Sequence, residues 1–153
     1  MHAHLLTALA DAPAETRRLF HGRGRCWPGL EQLTVDWLQG VVLVALFKET
    51  EQLEALRQML LQIDWAGVGV RTVALQHRYL PQSTTEWLVG EAIDELTITE
   101  GGLRYLIDLG RKQNSGLFLD MRYGRNWVRE QAKGQRVLNL FAYTCGFSVA
   151  AIE

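Results

Sequence analysis

Asn139 interrupts an apolar run of Val137, Leu138, Leu140 and Phe141, and Tyr143, Thr144, Gly146 and Ser148 follow directly after it in one short stretch. The run has the pattern of a strand buried on both faces of a parallel sheet. Gly146 lets backbone pass close to a ligand. Ser148 can cap or line the start of a following helix, whose free N–H groups favour anionic groups. Strand, small-residue turn and helix start, in that order, predict the opening of a nucleotide-type cofactor site. Cys145 lies in the same turn. A thiol at a helix start can be a nucleophile, but no histidine is near it in sequence, and the favoured reading is a small buried residue.

A second group of polar residues precedes it. Asp120 and Arg122 stand at the start of a segment whose Leu117, Met121, Val128 and Ala132 share one helical face, with Arg125, Arg129 and Lys133 near the other and Gly134 closing it. Arg17, Arg18, Arg23 and Arg25, among Phe20, Trp27 and two glycines, can track a phosphate backbone while an aromatic stacks on a base. A solvated arginine loop whose aromatics enter the core fits the same residues equally well. Trp37, Trp65, Trp87 and Trp127 read as core.

The elements that would position these groups follow from periodicity. Residues 1–15 read as a short helix or an irregular terminus. Leu33, Val35 and Trp37 alternate with Thr34 and Asp36 as a half-buried strand, and Val41 to Phe47 is its antiparallel partner in the centre of a sheet. Thr50 is placed to cap an amphipathic helix over Glu51 to Ile63. Strands follow around Val68 to Leu75 and Trp87 to Val89, and a hairpin turns at Gly101 and Gly102. A domain boundary falls near Leu109 to Gly116, giving residues 1–110 and 111–153.

Of 153 residues, 48% are hydrophobic and the net charge is −1, which predicts a folded, water-soluble chain. The longest apolar run, Val41 to Phe47, is far shorter than the roughly 20 residues of a membrane span, so no membrane partner is expected. The N-terminus lacks the features of a secretory signal. Two distant cysteines, Cys26 and Cys145, suit a reducing cytoplasm. Basic residues collect at both ends and acidic ones in the middle, a distribution that fits either phosphate-facing flanks or a mixed solvated surface.

Three blocks together resemble the ribosomal RNA large-subunit methyltransferase family that contains methyltransferases I and K, class I enzymes using S-adenosylmethionine. They are Arg18-Leu19-Phe20-His21-Gly22-Arg23-Gly24 with Pro28-Gly29-Leu30, then Gly101 to Tyr105 leading to Ser115-Gly116-Leu117-Phe118-Leu119-Asp120-Met121-Arg122, then Val137 to Phe147. The resemblance implies an α/β chain: a small mixed α+β N-terminal domain followed by the start of a Rossmann-like class I methyltransferase domain. It implies S-adenosyl-L-methionine as cofactor, held by Asp120, Arg122, Asn139, Phe141, Tyr143, Thr144, Gly146, Phe147 and Ser148. It also implies methyl transfer to a base in RNA, most plainly ribosomal RNA.

Departures from the family pattern are Arg23 and Arg25 in place of acids, Asn114-Ser115 before the second block and Cys145 in the turn. The ribose-binding acid, the substrate-base motif and any catalytic residue are expected beyond Glu153, so the chain alone is expected to be inactive. A non-catalytic RNA-binding or dimerising module, with association of two copies, is the competing reading. A hydrolase built on Cys145 is a third.

Overall fold

Leu33, Val35 and Trp37 point to one side of their strand, and Val42, Val44 and Leu46 to the same side of the next, where they meet two helices. Around this match is built the fold, a computed structural model that describes residues 1–10, 13–110 and 114–152. The strands β1 (Arg17–His21), β2 (Leu33–Trp37), β3 (Val41–Leu46), β4 (Thr72–His77) and β5 (Thr85–Val89) form one sheet in chain order. All pairs are antiparallel except β3 with β4, which run parallel from Val41 opposite Thr72 to Leu46 opposite His77. A parallel pair needs a crossover, and α2 (Leu53–Leu61) supplies it. Together with α1 (His2–Leu9) it covers the first face, burying Leu5, Leu9, Leu56 and Leu60.

The second face is covered by a hairpin of β6 (Glu95–Glu100) and β7 (Leu103–Asp108), by the segment around Leu117 and Leu119, and by Ala150. Gly101 and Gly102 both have positive φ, +60° and +78°, as a tight two-residue hairpin turn requires. Two further helices, α3 (Arg122–Ala132) and α4 (Gly146–Ile152), pack on each other beside it. Strand β2 is therefore buried on both sides rather than half-buried, and Thr34 and Asp36 lie under the second layer.

Three expectations are corrected here. Val137 to Phe141 forms no strand and is exposed, Phe141 by 94%. An interior strand exists only by pairing its N–H and C=O groups, and among the described residues no strand lies alongside it. Thr50 does not cap α2, because it lies two residues before the cap position, where its hydroxyl accepts the Gln52 N–H at 3.2 Å, and the helix starts at Leu53. Trp127, on α3, is 62% exposed, whereas Trp37 and Trp65 are core. The expected boundary region includes residues 111–113, which lie outside the described residues. Among the described residues no helix is long and apolar enough to cross a membrane.

Charged groups tie the layers together. Arg57 of α2 grips Glu86 of β5 through two hydrogen bonds of 2.8 and 2.5 Å, and His77 of β4 bonds the same carboxylate. Across the second layer, Arg125 of α3 donates to both Glu100 oxygens at 2.6 and 2.9 Å, with both residues almost fully buried. The Gly101 and Gly102 N–H groups donate to the Glu15 carboxylate at 3.0 Å each, Arg122 to the same carboxylate at 2.6 Å, and Arg129 to the Gly101 carbonyl at 2.6 Å.

Removing one member of a buried pair strands the other charge, at about 3–5 kcal/mol. Arg125→Met should therefore lower unfolding stability by that order in urea titrations, while Arg125→Met combined with Glu100→Leu should lose distinctly less. The Arg57 bonds hold the Glu86 carboxyl below its ordinary 4.5, and the Gly101 N–H bond does the same for Glu15. Their contribution is thus full above pH 4.5 and lost as pH falls through the lower folded values. Thermal melts should drop through that acid window, and Glu86→Gln or Glu15→Gln should flatten the drop.

Candidate functional site

Leu117 and Leu119 are anchored in the second core, which leaves Phe118 between them turned outward. The chain then enters α3, runs through the exposed 133–145 segment and returns in α4. Gly124 allows this close return: a Cβ there would stand 3.4 Å from the Phe147 ring. At the return, Tyr143 and Cys145 have φ of 48° and 64°, a conformation costing non-glycine residues about 1–2 kcal/mol each. The turn is held in it by Cys145 N–H to the Ala142 carbonyl at 2.7 Å and by Thr144 Oγ1 donating to the Gly116 carbonyl. The Phe118 and Tyr143 rings also meet, tilted by 36° with centroids 5.5 Å apart. Strain of this kind collects where a backbone shape is used.

The turn walls a cavity of about 120 Å³. Of the residues expected from sequence, Phe141, Tyr143, Thr144, Gly146 and Phe147 line it, joined by Phe118, Met121 and Arg125. Gly146 keeps its floor open: a Cβ would approach Leu117 Cδ1 to 3.3 Å and Arg125 Cδ to 3.8 Å. Asn139 and Ser148 stand outside the cavity lining and bond each other, Nδ2 to Oγ at 3.0 Å. Asp120 and Arg122 line a different cavity, of about 380 Å³, with Thr16, Arg17, Arg18 and Glu100. The buried Glu100–Arg125 pair is the wall between the two, Glu100 facing one and Arg125 the other. Cys145 is exposed rather than buried, because its left-handed backbone turns it out of the packed layer.

The four arginines of the N-terminal block separate. Arg17 donates to the Ala8 carbonyl at 2.5 Å, and Arg18 pairs with Asp36 at 2.8 Å. Arg23 lies over the Phe47 ring at 4.1 Å, and Arg25 is exposed with φ of 58°. Phe20 is buried; Trp27 leans on it at 5.3 Å. Burial pushes the Asp36 carboxyl up from its ordinary value, the Arg18 bond pulls it down, and the charge of Asp120 adds to the upward push. Sequence reasoning missed Arg125, Arg78 and Phe118. Arg125 was placed on a polar face, yet an acidic residue beside the glycine turn was the available hint of a partner.

A family model for S-adenosylmethionine-dependent methyltransferases matches residues 17–153. The chain belongs to that family. A ribosomal RNA large subunit methyltransferase of Deinococcus radiodurans is 32% identical over 154 residues, covering 95% of this chain and 36% of its own. A solved Streptococcus mutans chain assigned as a SAM-dependent methyltransferase superposes with a TM-score of 0.78 at 26% identity, covering 99% of this chain and 39% of that one. A second structure with the same TM-score, identity and coverage is of an assigned methyltransferase complexed with SAH. The α/β fold of these methyltransferase structures is thus the fold of this chain, which spans little more than a third, at most, of the curated relatives it matches.

For this family member the turn conformation can be tested directly. Gly116 has φ of +98° beside Thr144, whose Cγ2 would lie 3.6 Å from an added Cβ. Gly116→Ala should therefore cost about 1–2 kcal/mol through backbone strain rather than collision. Chemical denaturation should show that loss, together with faster amide exchange at Cys145.

Proposed function

We propose that the chain is the cofactor-holding opening of an enzyme that transfers methyl groups from S-adenosylmethionine to a base in RNA, with ribosomal RNA as substrate and the cytoplasm as its place of work. In this reading residues 1–110 are an accessory domain and residues 111–153 the opening of the catalytic domain. The observation that carries it is the strained Ala142–Gly146 turn walling an aromatic-lined cavity in a chain of the S-adenosylmethionine-dependent methyltransferase family.

At about 120 Å³ the cavity is below the roughly 300–1,000 Å³ of sites that enclose a whole ligand, so it suits one end of the cofactor. When bound, the cofactor supplies a methyl group activated by its sulfonium. Phe147 and the more exposed Phe141 line that region, and Gly146 admits the ligand close to the backbone. Thr144 holds the turn against Gly116. Asp120 and Arg122 belong to the reading through the adjoining cavity, where Arg122 would exchange Glu15 for the cofactor carboxylate. Alignment of methyl group and base then carries much of the rate.

Calorimetric titration with S-adenosylhomocysteine should give saturable binding. Gly146→Val and Asp120→Asn should each weaken it about fivefold or more with circular dichroism unchanged, a loss of about 1 kcal/mol. No binding by the unaltered chain would favour the non-catalytic module instead.

A further inference from the structure

Phe47 and Arg78 directly follow the ends of β3 and β4, the parallel pair of the sheet, and are locked side by side by the Arg78 N–H donating to the Leu46 carbonyl at 2.8 Å. The Arg78 guanidinium lies 4.6 Å from the Phe47 ring centroid, and the Arg23 guanidinium lies over the same ring at 4.1 Å. Arg18 is neutralised by Asp36. Arg23 and Arg78 have no carboxylate within salt-bridge distance among the described residues; Arg78 donates to the Asn114 side-chain oxygen, and its Nε–H is buried without an acceptor. Two cations gathered on one ring repel each other, and burial with the charge of Arg23 lowers the Arg78 pKa, Asp36 in the same cleft pulling the other way and Arg18 adding to the fall. An anion placed between them would relieve that cost.

The same cleft leads to the proposed cofactor cavity. Arg18, Arg78, Asn114 and Phe118 share a small cleft, and Phe118 also lines the cavity together with Tyr143, whose ring it meets. Both rings are about half exposed, Phe118 at 47% and Tyr143 at 59%. In the other direction the surface beyond Arg23 turns acidic at Glu31, Glu49 and Glu51, so the positive track has an end.

We propose that Arg23 and Arg78, stacked on Phe47, clamp a phosphate of single-stranded RNA, and that Phe118 and Tyr143 stack the unpaired base which this clamp brings to the rim of the cofactor cavity. Guanidinium groups match phosphate oxygens, and exposed aromatic rings accept any unpaired base. The proposal deepens the methyltransferase reading and rests on it only for the direction in which the base is delivered. It moves the RNA contact away from Arg17 and Arg18, which are engaged internally, and adds Arg78, Phe118 and Tyr143.

The test is fluorescence anisotropy of the chain with a fluorescein-labelled oligouridine of about 12 nucleotides, a length set by the roughly 4–16 nucleotides such sites cover, read across a range of salt. Arg23→Gln and Arg78→Gln should each weaken binding about fivefold and reduce the slope of log affinity against log salt by about 0.7. Tyr143→Ala should weaken it by a similar factor and leave the slope unchanged, and a duplex of the same length should bind more weakly. Arg71→Gln removes the same charge at the opposite end of β4 and should change nothing; an equal loss there would show diffuse attraction and overturn the clamp. No binding by the unaltered chain at low salt would also overturn it, as would equal affinity for duplex. Arg23→Gln guards against misfolding of Arg78→Gln, since Arg23 is exposed and, among the described residues, lies over the Phe47 ring without a salt bridge. Calorimetry with S-adenosylhomocysteine separates the two readings: Arg23→Gln should keep cofactor affinity. RNA effects without any cofactor binding would leave the clamp standing and sink the cofactor reading, and the reverse pattern would sink the clamp alone.

Discussion

The second layer of the molecule depends on a buried ion pair. Glu100 closes β6 just before the hairpin turn, and Arg125 reaches it from the middle of α3 through two short hydrogen bonds. Desolvating both charges is costly, so the pair adds little net stability, but it admits one relative placement of hairpin and helix. That placement sets everything nearby. It lets Arg129 reach the Gly101 carbonyl and Arg122 reach Glu15, which grips the turn from the other side. It also makes the pair a shared wall, so that the two cavities cannot move independently of the hairpin.

Above this frame the surface sorts by chemistry. The return turn between α3 and α4 gives an aromatic cavity with a glycine floor, while the ends of β3 and β4 give stacked guanidiniums. Phe118 belongs to both regions because its neighbours Leu117 and Leu119 are committed to the core. An outward side chain between two buried ones is a natural hinge point between binding functions, since its backbone is fixed by residues that do no binding.

Much of this was legible in the residues. Strict alternation placed β2 and the hairpin, the leucines of Leu53 to Leu60 placed α2, and two consecutive glycines placed the hairpin turn. The family blocks led to the methyltransferase assignment that the matched model confirms. What failed depended on partners distant in sequence. Val137 to Phe141 has the composition of an interior strand but no paired neighbour among the described residues. Asp36 looked solvent-facing until a layer from residues beyond 94 covered it, and Arg125 looked solvent-facing because Glu100 is remote from it in sequence. Of the residues expected to hold the cofactor, Phe141, Tyr143, Thr144, Gly146 and Phe147 share one cavity, Asn139 and Ser148 stand outside it, and Asp120 and Arg122, separated from it by a whole helix, open onto the next.

The order of the five-stranded sheet has a kinetic meaning. Its strands neighbour one another in the order in which the chain supplies them, so the antiparallel pairings close short loops and only the parallel β3–β4 pair waits on a longer crossover through α2. The Glu15 grip on Gly101 joins residues 86 apart, a far longer closure than any strand pairing of that sheet. Contacts made after the folding barrier leave the folding rate almost untouched and act on the unfolding rate. Replacing the Glu15 carboxylate should therefore shorten the life of the assembled second layer more than it slows its formation.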